Sequence, residues 1–278
     1  MRLSSLDKLL FPATETTKGE VLSYYASIAP VLLPHLAHRP VTRVRWPHGT
    51  ADQSFFEKNL PSGAPSWLPS ARVDDVTYPL VPDLAALTYL VNLNSIELHV
   101  PQWTVSESGE RENPNRLVID LDPGKPAGLR ECSQVALMVR DRLERLGLEL
   151  YPVTSGSKGM QLYAALGGHL TSDEVRDLAQ QLAQELTKRN PELILWKMTK
   201  SLRPGKVFLD WSQNVAAKTT ISPYSLRGRE TPTVAAPRTW EEVEAAAKGS
   251  VTLEQLMFDE VLERLDEYGD LVEGLLPD

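Results

Sequence analysis

Cysteine is nearly absent from this 278-residue chain: Cys132 stands alone. A single thiol closes no internal disulfide and cannot build the Cys cluster of a structural zinc site. The expected compartment is therefore reducing, the cytoplasm. No apolar run approaches the ~20 residues of a membrane helix, and the opening Met1-Arg2-Leu3-Ser4-Ser5 lacks the apolar stretch of a signal peptide. Internal repeats, low-complexity tracts and Gly/Ser linkers are also missing, so one domain over 1–278 is expected. An excess of positive charge is absent too. Lys and Arg number 29 against 37 Asp and Glu, a net charge of -8, which by itself argues against nucleic acid, because phosphate contacts need cations.

What is present qualifies that balance. Lys197, Lys200, Arg203, Lys206, Lys218, Arg227 and Arg229 fall in one stretch with few acids, whereas the chain from about 240 is acidic and reads as a helical tail. A basic working surface beside an acidic tail fits this pattern, as does ordinary solvated surface. Hydrophobic residues, 42% of the chain, suffice for a sizeable core. Thr17-Lys18-Gly19-Glu20 and Thr171-Ser172-Asp173-Glu174 are capping boxes that open helices. Asp83 to Asn92 and Ser133 to Leu146 have helical spacing, and Pro40 to Pro79 suits short strands and loops. Strands are expected at Ser95–Val100, Arg116–Asp122, Leu150–Thr154, Gln161–Leu166 and Val207–Ser212. Helices and strands mix without strict alternation, which predicts an α+β (mixed α/β) fold around one catalytic sheet.

The segment Leu117-Val118-Ile119-Asp120-Leu121-Asp122-Pro123-Gly124 carries the most chemistry. Strand alternation sends Leu117, Ile119 and Leu121 to one face and Asp120 with Asp122 to the other, ~6.6 Å apart. Carboxylates so placed converge on divalent cations, and Pro123-Gly124 ends the strand beside them. In Val207-Phe208-Leu209-Asp210-Trp211-Ser212, Asp210 interrupts an apolar strand and needs a partner, which a metal shared with Asp120 and Asp122 would supply. Such a trio serves phosphoryl or nucleotidyl transfer, where two metals ~3.5–4 Å apart stabilise the attacking and leaving oxygens. A lone Asp-x-Asp equally suits a surface turn.

Other residues suit phosphate and nucleic acid, each with a plainer alternative. Thr154-Ser155-Gly156-Ser157-Lys158-Gly159 offers hydroxyls, glycines and one cation for phosphate oxygens; it lacks the Walker order and also reads as a hairpin turn. Arg203, Lys218 and Arg227 extend a phosphate site or sit as solvated cations. Gln213 suits a sugar, a base or the backbone, and His99 lies beside Glu97 on the polar face of its strand. In Phe55-Phe56-Glu57-Lys58 only one aromatic can face inward on a strand, leaving the other to stack on unpaired bases. Arg43 and Arg45 alternate before Trp46, as backbone-contact residues would.

Taken together, these blocks identify a family. The chain resembles the polymerase domain of bacterial ligase D, in the archaeo-eukaryotic primase superfamily, over nearly its whole length. The likeness is carried by Phe11-Pro12-Ala13-Thr14 with Thr17-Lys18, by Thr42-Arg43 and Arg45-Trp46-Pro47, and by Phe55-Phe56-Glu57-Lys58. It continues through Glu97-Leu98-His99-Val100-Pro101-Gln102-Trp103, Asp120-Leu121-Asp122-Pro123-Gly124 and the 154–159 loop. Met198 to Arg203, Asp210-Trp211-Ser212-Gln213-Asn214, Lys218-Thr219-Thr220 and Pro223 to Arg229 complete it. The resemblance implies a primase-type fold with a central, mainly antiparallel sheet flanked by helices. It implies template-directed nucleotide addition, favouring ribonucleotides and manganese (magnesium possible), at double-strand breaks in bacterial non-homologous end joining.

By position, the resemblance makes Asp120, Asp122 and Asp210 the catalytic metal triad. His99, Ser155, Lys158, Gln161, Arg203, Gln213, Lys218 and Arg227 surround an incoming NTP or dNTP. Lys8 and Lys18 hold a DNA 5′-phosphate, Arg43 and Arg45 contact DNA, and Phe55 and Phe56 stack on the template. The implied partners are DNA ends, ligase and nuclease modules in the same or a partner chain, and a Ku-type end-binding protein, at the nucleoid and without a membrane. One position departs from the family pattern. Gln161 follows Gly159-Met160 where the family carries histidine, and an amide can donate to phosphate but never becomes cationic. Two rivals remain open from residues alone: a noncatalytic module that binds and bridges DNA ends, and a metal-dependent phosphoesterase using the same acids.

Overall fold

A computed structural model describes residues 1–276. The chain forms two compact units, each assembled from separate stretches: Met1–Glu112, Thr219–Ala235 and Leu256–Asp270 in the first, Asn113–Lys218, Ala236–Gln255 and the segment from Leu271 in the second. The mixed α/β class is as expected. Among the described residues no helix is long and apolar enough to cross a membrane.

In the first unit, the helix Lys18–Leu36 begins at the capping box, with Thr17 accepting from the Glu20 N–H and Glu20 accepting from the Thr17 N–H. It buries Val21, Tyr24, Tyr25, Ile28 and Leu32 along one stripe and continues through Pro30 and Pro34 to Leu36, further than those prolines suggest. Asp83 caps the helix Leu84–Asn92 through the Ala86 N–H at 2.8 Å. A four-stranded antiparallel sheet runs in the order Thr220–Ile221, Ser95–Val100, Thr42–Arg45, Phe55–Glu57. Register places Val44 opposite Glu97 and Thr42 opposite His99. Ile96, Leu98 and Val100 are buried as the alternation requires, and Phe258–Tyr268 supplies part of the acidic C-terminal helix content.

The second unit is built on a six-stranded sheet, ordered Ile194–Leu195, Val207–Asp210, Arg116–Pro123, Met160–Ala165, Tyr151–Thr154, Ala236–Pro237. Every pairing is antiparallel except the first. The helices Leu129–Glu144, Ser172–Arg189 and Trp240–Lys248 cover one face. Leu117, Ile119, Leu121, Leu162 and Leu209 meet Val135, Val139, Ala179, Leu182 and Val243 there in a single buried cluster. Each fully buried Leu, Ile or Val contributes roughly 1.5–3 kcal/mol relative to exposure. This burial fixes the central strand's orientation, because slipping its register by one residue would carry Asp120 and Asp122 into the core.

The strand expected over Val207–Ser212 ends earlier, at Asp210, and Trp211–Asn214 turns as a 3₁₀ helix. Asp210 itself causes the stop: its carboxylate accepts the Ser212 N–H at 3.1 Å and caps that turn. Asn214 then takes over the lost ladder, its side-chain amide accepting the Val118 N–H at 3.0 Å and donating to the Val118 carbonyl at 2.7 Å.

Candidate active site and nucleic-acid contacts

On the sheet face away from the helices, the second unit assembles a polar row. Asp120 is paired in register with Asp210 on one side and with Gln161 on the other. Asp122 lies two residues further along, opposite Phe208. Directly opposed residues have Cβ atoms ~4.5–5.5 Å apart, so three carboxylates share one face and two of them face each other.

The side chains of Asp122 and Asp210 are held by basic and polar neighbours. Asp122 accepts from Arg203 NH1 at 2.8 Å and lies 2.8 Å from Lys158 Nζ. The Arg203 guanidinium is centred 4.0 Å over the Phe208 ring, and its buried Nε has no hydrogen-bond partner among the described residues. Asp210 accepts from Ser212 Oγ at 2.5 Å and from Gln213 Nε2 at 2.9 Å. Lys218 Nζ in turn hydrogen-bonds Ser212 Oγ. Among the described residues, no three His, Cys, Asp or Glu side chains form a metal-holding group. The backbone therefore brings the predicted triad to one face, while Asp122 is directed to Arg203 and Lys158, and Asp210 to Ser212 and Gln213. The donor set still suits a hard divalent cation, which takes carboxylate oxygens. Burial, then the charges of Asp120 and Asp122, push the Cys132 thiol well up; its Sγ donates to the Leu121 carbonyl at 3.7 Å, leaving no thiolate for chemistry.

The 154–159 loop is a hairpin turn, as its plainer reading had it, and a tight one. Ser155 is buried, and its Oγ accepts the Gly159 N–H at 3.2 Å and the Ser157 N–H at 3.3 Å. Gln255 braces it from outside, accepting the Gly156 N–H at 2.7 Å and donating to the Gly159 carbonyl at 3.0 Å. A Cβ on Gly159 would lie 2.1 Å from the Leu121 carbonyl oxygen. Only glycine lets the turn press against the acid-bearing strand, and that approach brings Lys158 to Asp122. Gln161 is buried and accepts from the Tyr163 hydroxyl at 3.0 Å.

In the first unit, both Phe55 and Phe56 are exposed, at 45% and 58%. Their strand is the edge of its sheet, and Phe56 makes an edge contact with the His99 ring at 6.5 Å. Arg43, expected to contact DNA, also lies in this sheet. It is buried, donating to Asn59 O at 3.0 Å and to Glu57 Oε2 at 2.5 Å. Arg45 donates to Leu93 O and to Glu57 Oε1, each at 2.7 Å, and with Phe56 and Lys58 it borders an open cavity of about 490 Å³. Lys8 Nζ bonds the Pro47 carbonyl, and the buried Lys18 donates to Ser4 O at 2.8 Å. Burial, then the Lys8 charge, lowers the Lys18 pKa, so the two ammonium groups feel each other.

His99 and Arg227 share a partner in this unit that sequence reading passed over as mere polar face: Glu97, 2.7 Å from His99 Nε2 and 3.0 Å from Arg227 NH1. Ser212 and Asn214 were passed over too, although Asp210-Trp211-Ser212-Gln213-Asn214 held the signal, three hydrogen-bonding side chains directly after a strand acid.

Known proteins share this arrangement of elements. The polymerase domain of Mycobacterium tuberculosis ligase D, solved in complex with DNA, superposes with a TM-score of 0.95 at 46% identity, covering 100% of this chain and 99% of that one. The multifunctional non-homologous end joining protein LigD of Mycolicibacterium smegmatis is 51% identical over 279 residues, 99% of this chain but 36% of that protein. The bifunctional LigD of Bacillus subtilis is 35% identical over 270 residues, 97% of this chain and 43% of its own. This chain thus spans less than half the length of these two LigD proteins. A family model described as the LigD primase-polymerase domain matches residues 17–272, and with the acid-bearing sheet and its hairpin already in view, the chain belongs to that family.

Proposed function

We propose that this chain is the polymerase part of a bacterial break-repair system, adding nucleotides to 3′ ends and filling gaps by template-directed nucleotidyl transfer. The observation that carries the reading is the register pairing of Asp120 with Asp210, with Asp122 on the same sheet face. Like charges opposed across strands destabilise a sheet, so the pairing makes sense as a cation site. Asp120, Asp122 and Asp210 would hold the divalent metal, manganese in preference to magnesium. Bound there, the metal would neutralise charge on the attacking and leaving oxygens of an in-line displacement.

The protein's own groups do the rest. Lys158 and Arg203, which neutralise Asp122 here, are within one side chain of the acids and suit the triphosphate oxygens. The unpartnered Arg203 Nε is a buried donor that a phosphate oxygen would satisfy. Ser155 shapes the turn, Lys218 and Gln213 support Asp210, and His99 and Arg227 take the nucleotide in the first unit. Lys8 and Lys18 repel each other, a cost that a DNA 5′-phosphate would relieve. The exposed Phe55 and Phe56 suit stacking on template bases. Ribonucleotide preference, ligase and nuclease modules, a Ku-type partner and action at the nucleoid in the cytoplasm belong to the same reading.

The test is extension on a gapped, 5′-phosphorylated duplex, comparing manganese with magnesium and ribo- with deoxynucleotides. The parent is expected to extend and release pyrophosphate, and Asp120→Ala to do neither. A parent that binds ends yet never extends would instead support a noncatalytic end-bridging module, and phosphate released from DNA would support a phosphoesterase.

A further inference from the structure

We propose that Glu97 is a positioning residue for nucleotide binding: one buried carboxylate sets the orientation of both His99 and Arg227. The inference rests on the polymerase reading above, which gives those two side chains to the nucleotide. Glu97 Oε2 lies 2.7 Å from His99 Nε2 and accepts from Arg227 NH1 at 3.0 Å, while Oε1 accepts the Gly228 N–H at 3.0 Å. The Glu97 side chain is 7% exposed, against 12% for His99 and 16% for Arg227. All three side chains are largely buried, the carboxylate most of all. Such charge-assisted bonds are about twice as strong as neutral ones.

The backbone is built to hold this geometry. The Tyr25 hydroxyl donates to the Ile96 carbonyl at 2.5 Å and accepts the Leu226 N–H at 3.1 Å. It thereby ties together the residues immediately before Glu97 and before Arg227. Ser225 Oγ adds a second tie by accepting the Leu98 N–H at 2.9 Å. At Gly228 a Cβ would lie 2.2 Å from the Trp46 ring, so glycine is what permits the N–H to reach Glu97. A carboxylate needed only for surface polarity has no use for this cross-tying.

Two consequences follow for the partners. With Glu97 as acceptor, His99 donates from Nε2, which fixes the orientation of its ring. Arg227 has one guanidinium edge committed to Glu97, which stops the side chain from sweeping through its rotamers. A ligand then meets pre-oriented groups and loses less entropy on binding.

The experiment compares the parent with Glu97→Gln, which keeps shape and one acceptor but removes the charge, in the gapped-duplex extension assay. A fluorescent ATP analogue titrated at equilibrium gives affinity independently of turnover. Expected are a rise of about tenfold or more in nucleotide KM and Kd, a kcat within about threefold of the parent, and a shifted His99 ¹⁵N spectrum as the bond from Nε2 loses its charged acceptor. In a His99→Ala/Arg227→Ala background, Glu97→Gln should add nothing further to the analogue's Kd. Nucleotide KM and Kd within about twofold of the parent, or an equal loss in that background, overturns the proposal. If Glu97→Gln does not fold, by circular dichroism, Glu97→Asp is judged by the same criteria, since its shorter arm cannot reach both partners. An inactive parent removes the polymerase reading and this inference with it; an active parent with an unaffected Glu97 variant removes this inference alone.

Discussion

Replacing Asp210 by asparagine should make the metal-free protein more stable while abolishing its activity. Asp210 stands directly opposite Asp120, with Cβ atoms ~5 Å apart, and two like charges at about that spacing repel by about 3 kcal/mol at an effective dielectric of about 20. Both are partly exposed, so solvent and salt reduce this to about 1 kcal/mol. The amide costs little in return. Its oxygen still accepts the Ser212 N–H, and a flipped Gln213 amide can accept from the new NH₂. A gain of about 1 kcal/mol corresponds to a Tm higher by roughly 2–4 °C for a chain of this size. Added manganese should reverse the order, because a ligand bound only by the folded parent at 100 times its Kd stabilises by about 2.7 kcal/mol, and the variant has lost one carboxylate ligand. Thermal melts of both proteins in EDTA and in manganese chloride measure this directly. Should Asp210→Asn melt below the parent in EDTA, or should manganese raise both melting temperatures equally, the opposed pair is not the metal site.

Three further outcomes are expected. Asn214→Ala should cost about 2–4 kcal/mol in urea denaturation, because the buried Val118 N–H and carbonyl lose the amide that completes their ladder. Acid should weaken the first unit through Glu97. Burial would raise that carboxyl, but the His99 hydrogen bond and the Arg227 and His99 charges overcome it and hold the pKa at about 2, down from 4.5. A depressed carboxylate stabilises the fold above pH 4.5 and loses that contribution as pH falls toward 2, about 3 kcal/mol in all; unfolding free energy measured against pH should show this limb in the parent and not in Glu97→Gln. Lys8→Ala should bind a 5′-phosphorylated duplex end about tenfold more weakly by fluorescence anisotropy, with a 5′-hydroxyl end unaffected; equal losses on both ends would separate Lys8 from phosphate recognition.

Local chemistry was legible before any coordinates. The capping boxes at Thr17 and Thr171 start helices where the Ser/Thr-x-x-Glu spacing puts them, because a cap is satisfied within four residues. The alternation from Leu117 to Asp122 named the core face and the acid face correctly, since side-chain direction on a strand is a property of the strand itself. The stop at Asp210 was less legible, because apolar alternation through Trp211 outweighed an acid that caps its own turn. Phe55 and Phe56 share a strand, but nothing local says that the strand is an edge with both rings uncovered.

Sequence alone therefore settled which faces are apolar, where the two capping-box helices begin, and that Asp120 and Asp122 point the same way, although the helix expected from Ser133 begins earlier, at Leu129. Only the tertiary structure decided that Asp210 stands opposite Asp120, that Gly159 presses Lys158 toward Asp122, that Arg43 is buried against Glu57, and that Gly228 and Arg227 close on Glu97. The division has a physical cause. Caps and alternation come from bonds between near neighbours, whereas register and cross-chain pairing are fixed by burying a whole apolar face at once, a sum over distant residues that no short window contains.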